Sequence, residues 1–380
     1  MSLLQHMAAL PPSAIELRAQ VREFLASYAE SWTAFDRAHS WTAFDRAFSR
    51  ELGKRGWIGM TWPTPYGAGR SVMERFVLQE EMLAAGAPVG AHWVADRQSG
   101  PLILKVGTSA QQQRYLPGIA KGDISFCIGM SEPNAGSDLA AIEARADRDS
   151  GGWRLNGTKL WTTNAQHCQV MIGLFRTTGS AREARQGGLT QFLIELDSPG
   201  LEIRPIPDLN GDAHFNEVVF NDVFVPDAGL LGVEGEGWAQ VTSELALERS
   251  GSERFLSAFP LVTAATRELA TRPATDIENG DLATLGTLIA ETAVLRSLSL
   301  TVAGKLQQGD DPAYLAVITK DLGAELEQRT APAVRSLFTT PPPDLRQAIE
   351  FTVRAAPTFS LRGGAREILR GITARTLGVR

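Results

Sequence analysis

The spacing of apolar residues changes character twice along the chain. In SAIELRAQVREFLASYAE (13–30) they recur at three- and four-residue intervals, which predicts an amphipathic helix after Ser13, a residue able to cap it. MERFVLQEEMLAAG (73–86) repeats the pattern and ends on Gly86, a helix stop. From Phe126 to about Leu231 the period shortens. WRLNGTKLWTT (153–163), VMIGLFRTT (170–178), TQFLIELD (190–197) and FNEVVFNDVFVP (215–226) alternate in part and are separated by Gly, Asn, Asp and Pro, so strands are expected. After GVEGEGW (232–238) helical periodicity returns, broken at RPATDIENGD (272–281) and TTPPPD (339–344). An order of helices, strands, helices predicts an α+β fold, not a doubly wound nucleotide-binding sheet; no G-x-G-x-x-G follows a strand. The expected domains are an N-terminal helical domain (1–125), a middle β domain (126–232) and a C-terminal helical bundle (233–380).

A tandem nonapeptide interrupts the first block: SWTAFDRAH (31–39) is followed at once by SWTAFDRAF (40–48), differing only at His39 and Phe48. Nine residues at about 100° each reverse a helix face, so one continuous helix would expose the apolar side of one copy. The segment reads as a duplicated linker or helix extension.

Composition narrows the partners. The chain has 380 residues, 43% hydrophobic and 21% charged, enough for two or three domains with substantial cores. A net charge of −6 and the lack of a lysine-rich run argue against nucleic acid as a partner. Cys127 and Cys168 alone cannot build a disulfide framework and suit a reducing cytosol. The N-terminal stretch has no signal-peptide pattern and no apolar run reads as a bilayer span, so a soluble cytoplasmic protein with no membrane partner is expected. The histidines show no metal-ligand spacing, and no metal site is expected. The C-terminal series Arg362, Arg366, Arg370, Arg375 and Arg380 reads as a solvated helix edge.

Candidate chemistry concentrates in two segments. MSEPNAGSDLA (130–140) offers hydroxyls and backbone amides in a loop shaped by Pro and Gly, suited to a phosphate or a polar ring edge. LNGTKLWTTN (155–164) sets Trp161 beside Thr163 at a strand end, where an indole could cover a flat aromatic ligand. Alone, Trp161 is equally compatible with a core indole at a strand edge.

Taken with GWIGMTWPTPYGAG (56–69), FNEVVFNDVFVPDAGLLGVEGEGW (215–238) and GGAREILRGITARTLG (363–378), these segments resemble the acyl-CoA dehydrogenase family over nearly the whole chain. The resemblance implies a helical domain, a β-barrel-like middle domain and a C-terminal four-helix bundle. It implies FAD as cofactor, with Ser131 and the backbone around Met130 at the isoalloxazine, Trp161 packed on it and Thr163 bonded near its reactive nitrogen. Ser137 would meet the pyrophosphate or the CoA arm. The implied reaction is α,β-dehydrogenation of an acyl-CoA by a partly desolvated carboxylate base, as in fatty acid or sterol catabolism, with electron-transfer flavoprotein as acceptor.

The base is assigned by subgroup. Where many relatives carry a glutamate before the last helix, this chain has Gly363 in SLRGGARE (360–367). It does carry the LxLER pattern that resembles isovaleryl- and long-chain-type members, as LALER (245–249). The resemblance therefore implies Glu248 as base, with Gly363 leaving room for its carboxylate, and Arg249 as a CoA contact. Glu244 and Glu253 read as a solvated face. AHWVADRQSGP (91–101) is expected near the far end of an acyl pocket, where Arg97 or Gln98 would recognise a polar or ring-bearing tail. The two motifs by which family members serve a neighbour's FAD are lacking at TRELATRPATDIENGD (266–281) and LRQAIEFTVRAAPTFS (345–360). That departure leaves a homotetramer and an α2β2 assembly with a sister subunit both open. It also leaves room for a non-catalytic partner chain or for altered flavin chemistry.

Overall fold

The computed structural model describes residues 9–180, 185–248 and 251–379, without the side chains of 244–248. The first helix, α1 (Pro12–Ala26), begins before the anticipated cap: Pro12 occupies its first turn and Ser13 lies inside it. Proline has its φ preset for a helix and lacks only an N–H that would be unpaired there, so the start needs no side-chain cap. Helix α2 (Ala34–His39) is opened by Thr33, whose side chain accepts from the Asp36 N–H while Asp36 answers at the Thr33 N–H. Helix α3 (Arg46–Lys54) is opened by Asp45 accepting from the Phe48 N–H. The identical nonapeptides thus fold differently. In the first copy the helix begins at the alanine after Thr33; in the second, residues 40–42 form a turn, 43–45 have no regular structure and the helix begins at Arg46. Helix α4 (Val72–Ala85) starts with a Ser71–Glu74 capping box and stops at Gly86, whose φ of 69° is the left-handed geometry anticipated for it. A π-turn, Ala95–Ser99, leads into α5 (Gly100–Val106), and α6 (Ser109–Ala120) follows.

Eight strands come next. They are β1 (Phe126–Gly129), β2 (Arg145–Asp149), β3 (Gly152–Thr163), β4 (Val170–Arg176), β5 (Leu189–Glu195), β6 (Leu201–Ile206), β7 (Phe215–Pro226) and β8 (Leu230–Leu231). They form one mixed sheet in the order β6-β7-β3-β2-β4-β5-β8, with β1 parallel to β4. The long antiparallel pair β3–β7 carries two register shifts, one between Lys159 and Thr162. Trp153, Phe175, Phe192 and Phe220 meet edge to face in the sheet's core. The C-terminal helical region comprises α7 (Gly237–Glu248), α8 (Phe259–Leu269), α9 (Asn279–Gln308), α10 (Ala313–Ser336), α11 (Pro343–Phe359) and α12 (Arg366–Thr376).

The chain divides into two compact units that do not follow chain order. One comprises Met1–Ala43, Arg70–Pro88 and Glu248–Arg380; the other comprises Phe44–Gly69 and Val89–Leu247. In the first, half-buried ion pairs join α1, α4 and α9: Arg18 and Arg296 both reach Glu80, at 2.6 and 2.5 Å, and Arg22 reaches Glu81 at 2.7 Å. Helix α9 corrects one expectation. By length and composition it is apolar enough to cross a membrane; here it packs on α4 and α10 while Leu282, Ile289 and Val294 remain exposed. Of the C-terminal arginines, Arg370 and Arg375 are exposed as a solvated edge would be, but Arg362 and Arg366 are not. Arg362 binds Glu327 at 2.6 Å, and Arg366 binds Asp321 at 2.5 Å and Glu325 at 2.8 Å, so α12 is fastened to α10 by charge.

Candidate functional site

In the second unit the two chemistry-bearing segments are brought together. The bulge between Lys159 and Thr162 ejects Trp161 from the sheet, leaving it 55% exposed with φ 62°. A bulky side chain in left-handed backbone is an outlier that persists only where surrounding contacts enforce it, and such strain collects at functional sites. The contacts are visible. The Leu160 N–H donates to the Ser131 carbonyl at 2.8 Å, and the Asn164 N–H donates to the His214 carbonyl at 2.7 Å. Asn164 is itself left-handed, at φ 55°, so the strand end 161–164 turns twice. Phe215 holds the Trp161 indole edge-on at 5.9 Å. A core indole at a strand edge is therefore not what Trp161 is.

Around this platform, Met130 and Ser131 are partly buried at the end of β1, Thr163 is partly buried, and Ser137 is exposed. Asp138, next to Ser137, pairs with Arg185. The arrangement offers a flat aromatic surface flanked by hydroxyls and carbonyls from two segments. These residues fit a flavin's demands: an exposed ring for its aromatic face and polar atoms for its edge.

An ion pair beneath the platform was not anticipated from the sequence. Lys159, fully buried, donates to the Glu132 carboxylate at 2.7 Å and to the Met130 carbonyl at 3.3 Å. The same carboxylate accepts the Glu143 and Ala144 N–H groups at 2.7 and 3.0 Å. Burial pushes the Lys159 ammonium down to about 8, with Glu132 opposing the shift. Both residues lie within the quoted motifs, and their opposite charges were the available signal.

Other expected site residues fall elsewhere. Arg97 is 8% exposed on the π-turn, its guanidinium 5.6 Å from the Trp93 ring centre and donating to Gln98 at 3.2 Å. Its neighbour Asp96 accepts the Gly59 N–H at 2.7 Å. Glu248 ends α7, and its side chain lies outside the described residues, as do that of Glu244 and the whole of Arg249. Glu253 does not lie on a solvated face: the helix gives way to a 3₁₀ turn, Ser252–Arg254, in which Glu253 is 4% exposed and 3.8 Å from Arg254. Gly363, at φ 71°, lies against the Arg254 side chain. A Cβ there would lie 2.9 Å from the guanidinium carbon of Arg254.

These features define an α+β scaffold with an exposed aromatic platform at its sheet. The chain belongs to the acyl-CoA dehydrogenase family: the family's N-terminal domain matches residues 11–123 and its middle domain residues 127–223. It is similar to acyl-CoA dehydrogenase IpdE1 of Mycobacterium tuberculosis, 37% identical over 62% of this chain and 63% of that one. Among solved structures it is similar to the Tcur3481-Tcur3483 steroid ACAD, with a TM-score of 0.87 and 26% identity over 99% of this chain and 100% of that one. The ChsE4-ChsE5 complex from Mycobacterium tuberculosis is similar over 100% of both chains, with a TM-score of 0.84 and 28% identity. This chain spans 27, 63 and 64% of the length of three curated relatives.

Proposed function

We propose that this chain is an FAD-dependent acyl-CoA dehydrogenase, with Glu248 as the base. One observation carries the reading: an exposed Trp161, strained at φ 62°, beside the Ser131 segment. Nothing in the folding of the sheet calls for an indole in that backbone; a flat ring to be covered does. Met130, Ser131, Trp161 and Thr163 would hold the flavin, and Ser137 its phosphates or the CoA arm. FAD, when bound, supplies the two-electron acceptor for the hydrogen leaving the substrate's β-carbon. Glu248 takes the α-proton, and the bond pair it releases forms the α,β-double bond of the enoyl thioester. Arg249, adjacent in sequence, would bind the CoA portion. Electron-transfer flavoprotein would reoxidise the cofactor. The names of the similar structures, one a steroid ACAD, support a ring-bearing acyl group as substrate.

A second reading concerns assembly. The missing cross-subunit motifs and the likeness to a ChsE4-ChsE5 complex support a sister subunit, giving α2β2, over a homotetramer. Purified full-length chain tests the function directly. FAD co-purifying with it, and an enoyl-CoA product detected by mass after incubation with a steroid-side-chain thioester, support the reading. Absence of both, with and without co-expressed sister subunit, contradicts it.

A further inference from the structure

The Lys159–Glu132 pair does more than occupy the core. Its geometry is that of a staple. Glu132 lies two residues beyond Met130 and Lys159 two residues before Trp161, so their ionic bond joins the two segments directly behind the platform. The Leu160 N–H to Ser131 carbonyl bond runs beside it at 2.8 Å. The carboxylate's further bonds to the Glu143 and Ala144 N–H groups tie the end of the 130–142 loop back to its beginning. Glu132 itself is folded into a tight turn, exchanging backbone bonds with Ala135 at 2.9 and 3.1 Å. The ammonium also lies 4.9 Å from the Phe175 ring centre, which leaves it little freedom to move.

We propose that Lys159 and Glu132 are positioning residues: their buried ion pair sets the separation between the Met130–Ser131 segment and the Trp161–Thr163 strand end. The inference rests on the flavin reading for its functional consequence, though not for the staple itself. A buried ion pair of this kind is weak evidence for stability, because hydrophobic replacements often serve as well. What an apolar pair would not supply is the directed three-way bonding of one carboxylate, to Lys159 and to the Glu143 and Ala144 N–H groups, which fixes where the loop stands relative to the strand. The charged groups facing the ammonium and its partner are Glu132 from the loop and Arg176 from β4, the latter bound to the Ile142 and Ala140 carbonyls.

The test uses full-length Lys159→Met, Glu132→Gln and the double variant, with three readouts. Hydrogen exchange reports the staple: in Lys159→Met the Leu160, Glu143 and Ala144 amides are expected to exchange about tenfold faster or more. FAD titration of flavin-stripped protein reports positioning, with affinity about tenfold weaker in each single variant, the size expected for loss of one charge-assisted bond. Thermal melting separates positioning from mere support. In the double variant neither member of the pair is left behind as a buried charge without the other, so the melting temperature recovers relative to the single variants while FAD affinity and the flavin's absorption band shape do not. Recovery of affinity together with stability, or unchanged amide exchange in Lys159→Met, overturns the proposal. Should the wild-type chain bind no FAD, the flavin reading falls, and the exchange rates alone decide whether the staple exists.

Discussion

Trp161 holds its left-handed backbone at a cost of about 1 kcal/mol or more, which glycine would not incur. Its indole is more than half exposed and returns little in burial. Trp161→Gly is therefore expected to melt at the same temperature as the wild type or slightly above it while losing flavin, measured by calorimetry and by absorbance of the purified protein. His92 illustrates the opposite balance. Its ring is buried against Ser49, with Nδ1 and Oγ sharing a 2.9 Å hydrogen bond, and burial lowers its pKa from 6.5 to about 4. At pH above 6.5 it is neutral folded and unfolded. As pH falls from 6.5 towards 4 the unfolded chain takes up a proton that the folded chain resists, so stability is lost across that window, by about 3 kcal/mol at most. His92→Gln should flatten this part of the stability–pH curve in urea titrations; an unchanged curve would show that another group titrates there. At this scale the sequence was legible where chemistry travels in contiguous motifs, as in SEPNAGSD and KLWTTN. It was opaque where a partner is distant: nothing local said that the Arg254 side chain lies against Gly363, or that Glu253 is buried.

Among the elements, the longest strands and the helices with apolar stripes were readable from period alone. β1, β2 and β6 were not. FCIG is four residues long, RADRD carries four charges, and LEIRPI is short and interrupted by Pro205, so each becomes a strand through its neighbours in the sheet. The tandem nonapeptide states the same lesson more sharply, since identical residues take different structures. Asp344 accepts the Ala34 and Phe35 N–H groups at 2.7 and 3.1 Å and fixes the start of α2, a contact the second copy does not repeat among the described residues. Instead Phe44 packs on His167, and Arg46 donates to the His167 carbonyl at 2.8 Å. Capping consequently falls on different positions of the repeat. Thr33→Ala and Asp45→Ala should each destabilise by about 1 kcal/mol, read from chemical denaturation, because each removes a helix cap. Equal costs at the equivalent positions Asp36 and Asp45 through loss of the same bond are not expected: Asp36 closes a capping box, whereas Asp45 is the cap itself.

For the whole molecule, the order of helices, sheet and helices was legible because each block has its own hydrophobic period. The division into units was not, since residues 44–69 join the sheet-bearing unit and 70–88 the helical one, a pairing set by contacts far apart in sequence. Helix α9 leaves Leu282, Ile289 and Val294 exposed, which suits a chain that assembles. If a sister subunit supplies the missing FAD contacts, the chain expressed alone should carry well under one FAD per chain, and co-expression should raise both flavin content and mass by light scattering. A homotetramer with one FAD per chain, active unaided, would remove the need for a partner. The most direct test of the dehydrogenase reading is anaerobic mixing of the flavin-loaded protein with a panel of acyl-CoA thioesters, followed by flavin absorbance in a stopped-flow instrument. Wild-type protein should bleach with at least one thioester, and Glu248→Gln, still folded and flavin-loaded, should bleach about 10²- to 10⁴-fold more slowly. No bleaching with any thioester, or bleaching at the wild-type rate in Glu248→Gln, would contradict the account.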